Sequence, residues 1–291
     1  MLFSYHTHCE FCDGRASASS MTAAAFKAGY SILGFSSHAP LPFDTTWNLK
    51  WPRIRDYERT IRALSAEWAP QGMDILLGLE IDYIENLVSP KDSVYDIIDL
   101  DFKIGSMHYI TSLPGEPFTV DEPAEAFERH VRGNAGGDTS LIWKEYYKRL
   151  LAMVENGGFD IIGHFDLVKK NNSGGRWFDE SSKGYIDNAF AVVDRAAELG
   201  CIAEINTGGL ARGKIAETYP SAAILERMRD AGLRVTIGDD AHAPSHLGAF
   251  QGMAVEAAKK AGYKAIWYMD RERKWHEIGI DEAGKPGKLS R

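Results

Sequence analysis

Side chains able to ligate a metal or move a proton recur in this sequence at a spacing of two: His6-Thr7-His8, Glu80-Ile81-Asp82, His164-Phe165-Asp166, Glu204-Ile205-Asn206 and Asp240-Ala241-His242. Successive side chains of a strand alternate faces, so each pair points one way wherever its segment is extended. His38 and His108 close two further apolar runs, Ser36-Ser37-His38 and Gly105-Ser106-Met107-His108. Six of the nine histidines thus stand at the ends of strand-like runs, while His130, His246 and His276 do not. Any one of these residues alone is more often a satisfied polar group than a ligand. Gathered in one place they are different, because so many imidazoles and carboxylates would leave unpaired charge unless a cation joined them. Imidazole with carboxylate suits Zn, Mn or Fe better than the all-oxygen preference of Mg and Ca. About eight candidates at about four per ion imply two or three divalent ions, with a carboxylate such as Glu80 bridging a pair. That is the chemistry of a polynuclear hydrolase.

The elements that must position these groups alternate along the chain. Strand-length apolar runs lie at Leu2 to Thr7, Ile32 to Ser37, Asp74 to Tyr83, Phe102 to Ile110, Asp160 to Phe165, Cys201 to Asn206 and Arg234 to Gly238. Helical periodicity separates them at Ser20 to Gly29, Pro52 to Ala69, Leu141 to Gly157, Ser181 to Gly200, Pro220 to Gly232 and Gly248 to Gly262, several closing on a glycine. Strand–helix alternation predicts βα units and a parallel sheet. In a parallel α/β barrel the βα loops converge at the C-terminal ends of the strands. Every one of these runs delivers a potential ligand at that end.

One stretch breaks the alternation. Thr111 to Ser140 is rich in Pro, Gly and acidic residues, and reads as an insertion, either a lid over the pocket or a surface excursion. Lys264 to Asp270 is a further candidate strand, and from about residue 271 the chain reads as a polar tail whose Lys285, Lys288 and Arg291 are solvated charges. No repeat or composition break divides the chain, so residues 1–291 are taken as a single domain.

With 291 residues, 44% hydrophobic and 25% charged, the composition is that of a folded enzyme and excludes disordered or fibrous classes. A net charge of -8 gives no electrostatic footprint for nucleic acid. No apolar run reaches the ~18 residues of a membrane span. Three cysteines, Cys9, Cys12 and Cys201, and a first segment without signal-peptide character predict a reducing cytoplasm. Oligomeric state is not readable.

Taken in order, His6-Thr7-His8, Ser37-His38-Ala39-Pro40-Leu41-Pro42, Gly78-Leu79-Glu80-Ile81-Asp82-Tyr83, Gly105-Ser106-Met107-His108, Gly163-His164-Phe165-Asp166, Glu204-Ile205-Asn206-Thr207 and Asp240-Ala241-His242 resemble the polymerase and histidinol phosphatase superfamily. The monofunctional histidinol-phosphatase branch is the nearest match, from Leu2 to about Leu247. The resemblance implies a distorted seven-stranded (β/α) TIM-like barrel with up to three metals at the C-terminal ends of its strands. It makes His6, His8, Glu80 and Asp240 ligands of one ion, Glu80, His108 and His164 those of a bridged neighbour, and His38 and His242 those of a third. Many relatives complete the third site with a histidine; Asp13 stands at the matching place here. The segment Glu204 to Arg212, followed by Tyr219-Pro220-Ser221, resembles the phosphatase branch, which makes Arg212 the first choice of phosphate clamp, with Arg176 and Lys169 as second choices.

The expected reaction is hydrolysis of L-histidinol phosphate in histidine biosynthesis, by a hydroxide shared between two ions attacking phosphorus in line. Asp166 or His242 would protonate the departing alkoxide. Two alternatives stand beside it: the same site acting on a nucleotide, sugar phosphate or phosphodiester, and a non-catalytic metal-binding barrel. Cys9-x-x-Cys12 has no second CxxC and follows the HxH directly, so it reads as a loop coincidence. No GxSxG, GxxxxGK[ST] or GxGxxG occurs.

Overall fold

The computed structural model describes residues 1–285. In chain order its strands are β1 (Leu2–Ser4), β2 (Tyr30–His38), β3 (Asp74–Asp82), β4 (Phe102–Ser106), β5 (Tyr109–Ile110), β6 (Phe118–Thr119), β7 (Ile161–Ile162), β8 (Ile202–Asn206), β9 (Arg234–Gly238), β10 (Ala265–Met269) and β11 (Trp275–Gly279). The helices are α1 (Ala18–Ala28), α2 (Ile54–Trp68), α3 (Ala124–Gly133), α4 (Ser140–Asn156), α5 (Lys183–Glu198), α6 (Gly208–Ala211), α7 (Ala222–Asp230) and α8 (Gln251–Ala261).

Seven strands form one parallel sheet in the order β1-β2-β3-β4-β7-β8-β9. Its two ends meet. Thr7, just past β1, forms a parallel bridge with Ala241, just past β9, through His8 N–H to Ala241 O at 2.9 Å and Ala241 N–H to His6 O at 3.2 Å. The result is the nearly closed, distorted TIM-like barrel expected. Strands covered on both faces carry near-continuous apolar runs rather than alternation; β2 is buried at every position and β3 at all but its first. Inside the barrel the Phe102 ring occupies space that a side chain at residue 78 would need, since a Cβ on Gly78 would lie 2.4 Å from Phe102 Cζ. Helix ends follow local rules: the Ser17 hydroxyl accepts the Ser20 N–H at 3.1 Å to start α1, and Gly29, at φ 88°, ends it.

Two expectations change, and the insertion gains internal detail. The first apolar run is a strand only through Ser4; His6 and His8 lie beyond it, held by the Thr7–Ala241 bridge. The stretch 111–140 is structured, with β5 and β6 forming an antiparallel hairpin and α3 burying Phe127 and Val131 in the barrel's outer core. The chain from 271, read as a polar tail, begins as a packed element: β11 pairs antiparallel with β10, Trp275 packs edge-on against Tyr5 at 5.8 Å, and Ile280 and Ala283 are buried. The half-exposed hairpin interleaves Trp275 and Ile278 with His276 and Glu277, which dilutes its apolar signal. Lys285 is exposed, as expected; Lys288 and Arg291 lie outside the described residues.

Candidate metal centre

At the C-terminal ends of the barrel strands a cavity of about 360 Å³ is lined by Asp13, His38, Glu80, His108, His164, Arg212, Asp240 and His242, among others. Glu80, the penultimate-but-one residue of β3, stands at its centre. Its Oε2 lies 2.8 Å from His38 Nδ1, 3.1 Å from His6 Nε2 and 3.6 Å from His8 Nε2. Its Oε1 faces the other way, 2.9 Å from His164 Nε2 and 3.6 Å from His108 Nε2. A carboxylate whose two oxygens address different imidazoles has the arrangement of a bridging ligand.

Three groups bring their ligand atoms within 4.8 Å of one another: His6, His8 and Asp240; His6, Glu80 and His164; and His8, Asp13, His38 and His242. These overlap the sets implied by resemblance but share His6 and His8 between groups, and His108 approaches only through Glu80. The residues fit a divalent cation by an independent criterion. His6 Nε2, His8 Nε2 and His38 Nδ1 are buried and crowd within 2.8–3.6 Å of the buried Glu80 Oε2 without hydrogen-bond geometry, and such groups are costly unless something engages them.

The tautomers are set from behind. Glu204 Oε1 accepts the His6 Nδ1–H at 2.9 Å, and Asp82 accepts the His108 Nδ1–H at 2.7 Å, so Nε2 is the nitrogen that both rings turn to the cavity. Glu204 is itself held by the His164 N–H at 2.8 Å and the Asn206 amide at 2.7 Å. Gly238 makes this possible, because a Cβ there would lie 1.9 Å from Glu204 Oε2. On His8, Cys12 Sγ lies 3.5 Å from Nδ1, and all three cysteines are free.

Charge in the cluster is balanced by protons. Burial opposes a charge on His38 and His108, yet Glu80 and Asp13 around the former, and Asp82 and Glu80 around the latter, raise both to about 9. Burial, with His242 and His38 alongside, holds His8 down at about 3. Burial likewise disfavours ionised Glu80 and Asp240, but His38 and His6 around Glu80, and Arg212 and His6 around Asp240, hold both carboxyls well below their ordinary range.

Arg212 reaches the cavity wall from the turn after α6, but its guanidinium is engaged: Nη2 donates to Asp240 Oδ2 at 2.8 Å and Nη1 to Oδ1 at 3.2 Å. The other phosphate candidates are elsewhere. Arg176 is 54% exposed, paired with Glu128 and laid over Trp177. Lys169 is buried between Asp166 at 3.1 Å and Glu217 at 2.8 Å. Asp166 points away from the cavity, with Oδ2 accepting the Ser221 N–H at 2.8 Å. The spacing-two rule fails at His164 and Asp166 because β7 stops at Ile162, and at Asp166 the chain turns into a short 3₁₀ segment, Leu167–Lys169. Lys170, the next residue, is the lysine that lines the cavity.

Sequence reading missed Arg15, Asp121, Glu122 and His246 on the cavity wall. Only the acidic character of the 111–140 stretch hinted at two of them. Trp47 lines the cavity, its ring edge-on to His38 at 4.7 Å. Glu204 and Asp82 were counted as possible ligands, whereas here they brace His6 and His108.

A family model described as PHP domain matches residues 4–208. "Probable histidinol-phosphatase" of Deinococcus radiodurans is 29% identical over 255 residues, which cover 86% of this chain and 89% of that protein. "Histidinol-phosphatase" of Bacillus subtilis is 25% identical over 262 residues, 84% of this chain and 94% of that one. Among solved structures, histidinol phosphate phosphatase (HISK) from Lactococcus lactis, complexed with Zn, L-histidinol and phosphate, superposes with a TM-score of 0.67 at 21% identity, covering 98% of this chain and 99% of the other.

Proposed function

Because the chain belongs to the PHP domain family, we propose that it is a metal-dependent phosphomonoesterase that converts L-histidinol phosphate to L-histidinol and phosphate, a step of histidine biosynthesis. The observation that carries the phosphoesterase reading is Glu80, whose two oxygens face opposite sets of buried imidazoles beside an arginine in one cavity. The names of relatives aligned over most of their length support the substrate, as does a structural relative holding histidinol and phosphate with zinc.

His6, His8 and Asp240 would hold one cation, Glu80 with His164 and His108 its neighbour, and Asp13, His38 and His242 a third. Zinc is the first choice for these sites, with Mn or Fe as alternatives. The chemistry such cations supply when bound is acidification of a water and neutralisation of phosphoryl charge. Hydrolysis forms a bond from water oxygen to phosphorus and breaks the one to the alcohol oxygen, which must regain a proton. Of the two groups expected to return it, Asp166 is withdrawn into its pair with Lys169, and His242, which lines the cavity, could do so only with the third cation site empty. Glu204 and Asp82 keep two rings in the ligating tautomer, and Arg212 fixes Asp240 from two points while adding positive charge to the wall.

Residues 1–291 are read as one barrel domain. Among the described residues no helix is long and apolar enough to cross a membrane; three free cysteines support assignment to a reducing cytoplasm.

The test combines metal analysis of the purified protein with phosphate release from histidinol phosphate, p-nitrophenyl phosphate and a phosphodiester, before and after chelation. Fastest turnover of histidinol phosphate, lost on chelation and restored by Zn or Mn, is expected. Equal rates on unrelated monoesters would sink the substrate, and full activity without metal would sink the mechanism.

A further inference from the structure

Three long cationic side chains line the cavity: Arg15, Lys170 and Arg212. Two are already spent. Lys170 Nζ lies 3.3 Å from Asp121 Oδ2 and 2.6 Å from the Asp121 carbonyl. Arg212 meets both carboxylate oxygens of Asp240 and its carbonyl at 3.0 Å. Among the described residues, the Arg15 guanidinium has no carboxylate, carbonyl or ring partner, and the residue is exposed on the rim beside Asp13, His242 and His246.

The loop that presents it is fixed. Arg15 N–H donates to the His242 carbonyl at 2.7 Å, tying residue 15 to the loop after β9, and a Cβ at Gly14 would lie 2.3 Å from the Cys9 nitrogen, so this turn is packed against the chain following His8. A guanidinium offers five donors in a planar fork that matches phosphate oxygens, and left unpaired it keeps its charge for an incoming anion. Asp13 gives the reason that a cation is needed at this place. Its carboxylate stands on the same rim, 3.2 Å from His242 Nε2, where it would repel an approaching phosphate dianion whenever no cation is bound at Asp13.

We infer that Arg15 is the residue that captures the substrate's phosphate at the rim, by hydrogen bonds from its unpaired guanidinium, while Arg212 acts on the reaction through Asp240. The inference deepens the phosphatase reading and rests on it. It assigns Arg15 to binding the phosphate group in ground state and transition state alike, which moves KM more than kcat.

Arg15→Met and Arg15→Lys test this in the metal-loaded protein, with inorganic phosphate as the probe, measured by calorimetry and as a competitive inhibitor. Loss of a charge-assisted contact at an exposed rim is expected to weaken phosphate binding and raise KM by about tenfold in Arg15→Met, with kcat changed less than about threefold and partial recovery in Arg15→Lys. Metal content should be unchanged. Unaltered phosphate affinity in Arg15→Met overturns the inference, and so does a loss that follows a fall in bound metal, which would mean that Arg15 serves Asp13 and not the substrate. Failure of the underlying reading looks different: the wild-type protein would bind phosphate and hydrolyse no phosphate ester.

Discussion

His6 Nδ1 lies 2.9 Å from Glu204 Oε1, and both side chains are buried. This contact fixes which nitrogen of His6 can ligate, and its carboxylate charge makes the ring a better donor. Glu204→Gln keeps the shape and removes the charge. Metal affinity is expected to fall about 10- to 100-fold, with activity following at limiting metal. Competition with a chromogenic chelator reads the affinity, and circular dichroism checks that the fold persists. Unchanged affinity would mean that Glu204 is a packing residue only.

Gly238→Ala reaches the same contact by sterics. The added methyl would coincide with Glu204 Oε2, and it would also sit 3.3 Å from His6 Cβ. Residue 238 pairs in register with Asn206 at the ends of β8 and β9, so the backbone has little room to yield. Loss of about 1–3 kcal/mol in stability is expected for such overpacking, together with weakened metal binding. Urea unfolding of the metal-free variant measures the first and chelator competition the second; a variant with wild-type values in both would refute the packing argument.

How far these arrangements were readable in advance differs by residue. Alternating strands and helices, and Glu80 within β3, follow from period and spacing; His6, His8 and Asp240 lie past the ends of β1 and β9, as Asp166 lies past β7, and reach the site because the Thr7–Ala241 bridge holds those two segments side by side. Asp166 misled, since its spacing from His164 means a shared face only in an extended chain, and β7 ends before either residue. The choice between Lys169 and Lys170 depends on one short turn whose phase no periodicity records. Arg15 gave no signal at all: its meaning lies in lacking a partner, a property of the packed molecule.

The three basic residues first considered for phosphate now separate cleanly. Arg212→Met strands the buried Asp240 carboxylate, so kcat/KM should fall by a hundredfold or more, about 3 kcal/mol, with weaker metal binding. Lys169→Met strands Asp166 instead, away from the cavity, and should cost about 3 kcal/mol of stability while phosphate affinity stays as it was. Arg176→Ala removes an exposed pair and should change stability by less than about 0.5 kcal/mol and kinetics not at all. Steady-state kinetics beside denaturant melts of all three variants decide the matter; a rise in KM for Arg176→Ala would restore it as a phosphate contact.

Metal uptake should release protons. In the metal-free protein His38 and His108 carry charge up to about pH 9 and His6 is likewise held charged well above its ordinary range, because Glu80, Asp13, Asp82 and Glu204 outweigh the cost of burying them. A cation needs the neutral rings, so loading at neutral pH must expel the extra proton of all three. The sign follows: apparent affinity rises with pH until about 9 and levels off above it, and acidification empties the site. For complete loading, the logarithm of the overall binding constant should climb by about three per pH unit between pH 6 and 8. Calorimetric titration of the metal-free protein with Zn in two buffers of different ionisation enthalpy counts the protons directly. Fewer than one proton per chain at pH 7 would show that these rings are already neutral, and that the carboxylates of the cluster are compensated in some other way.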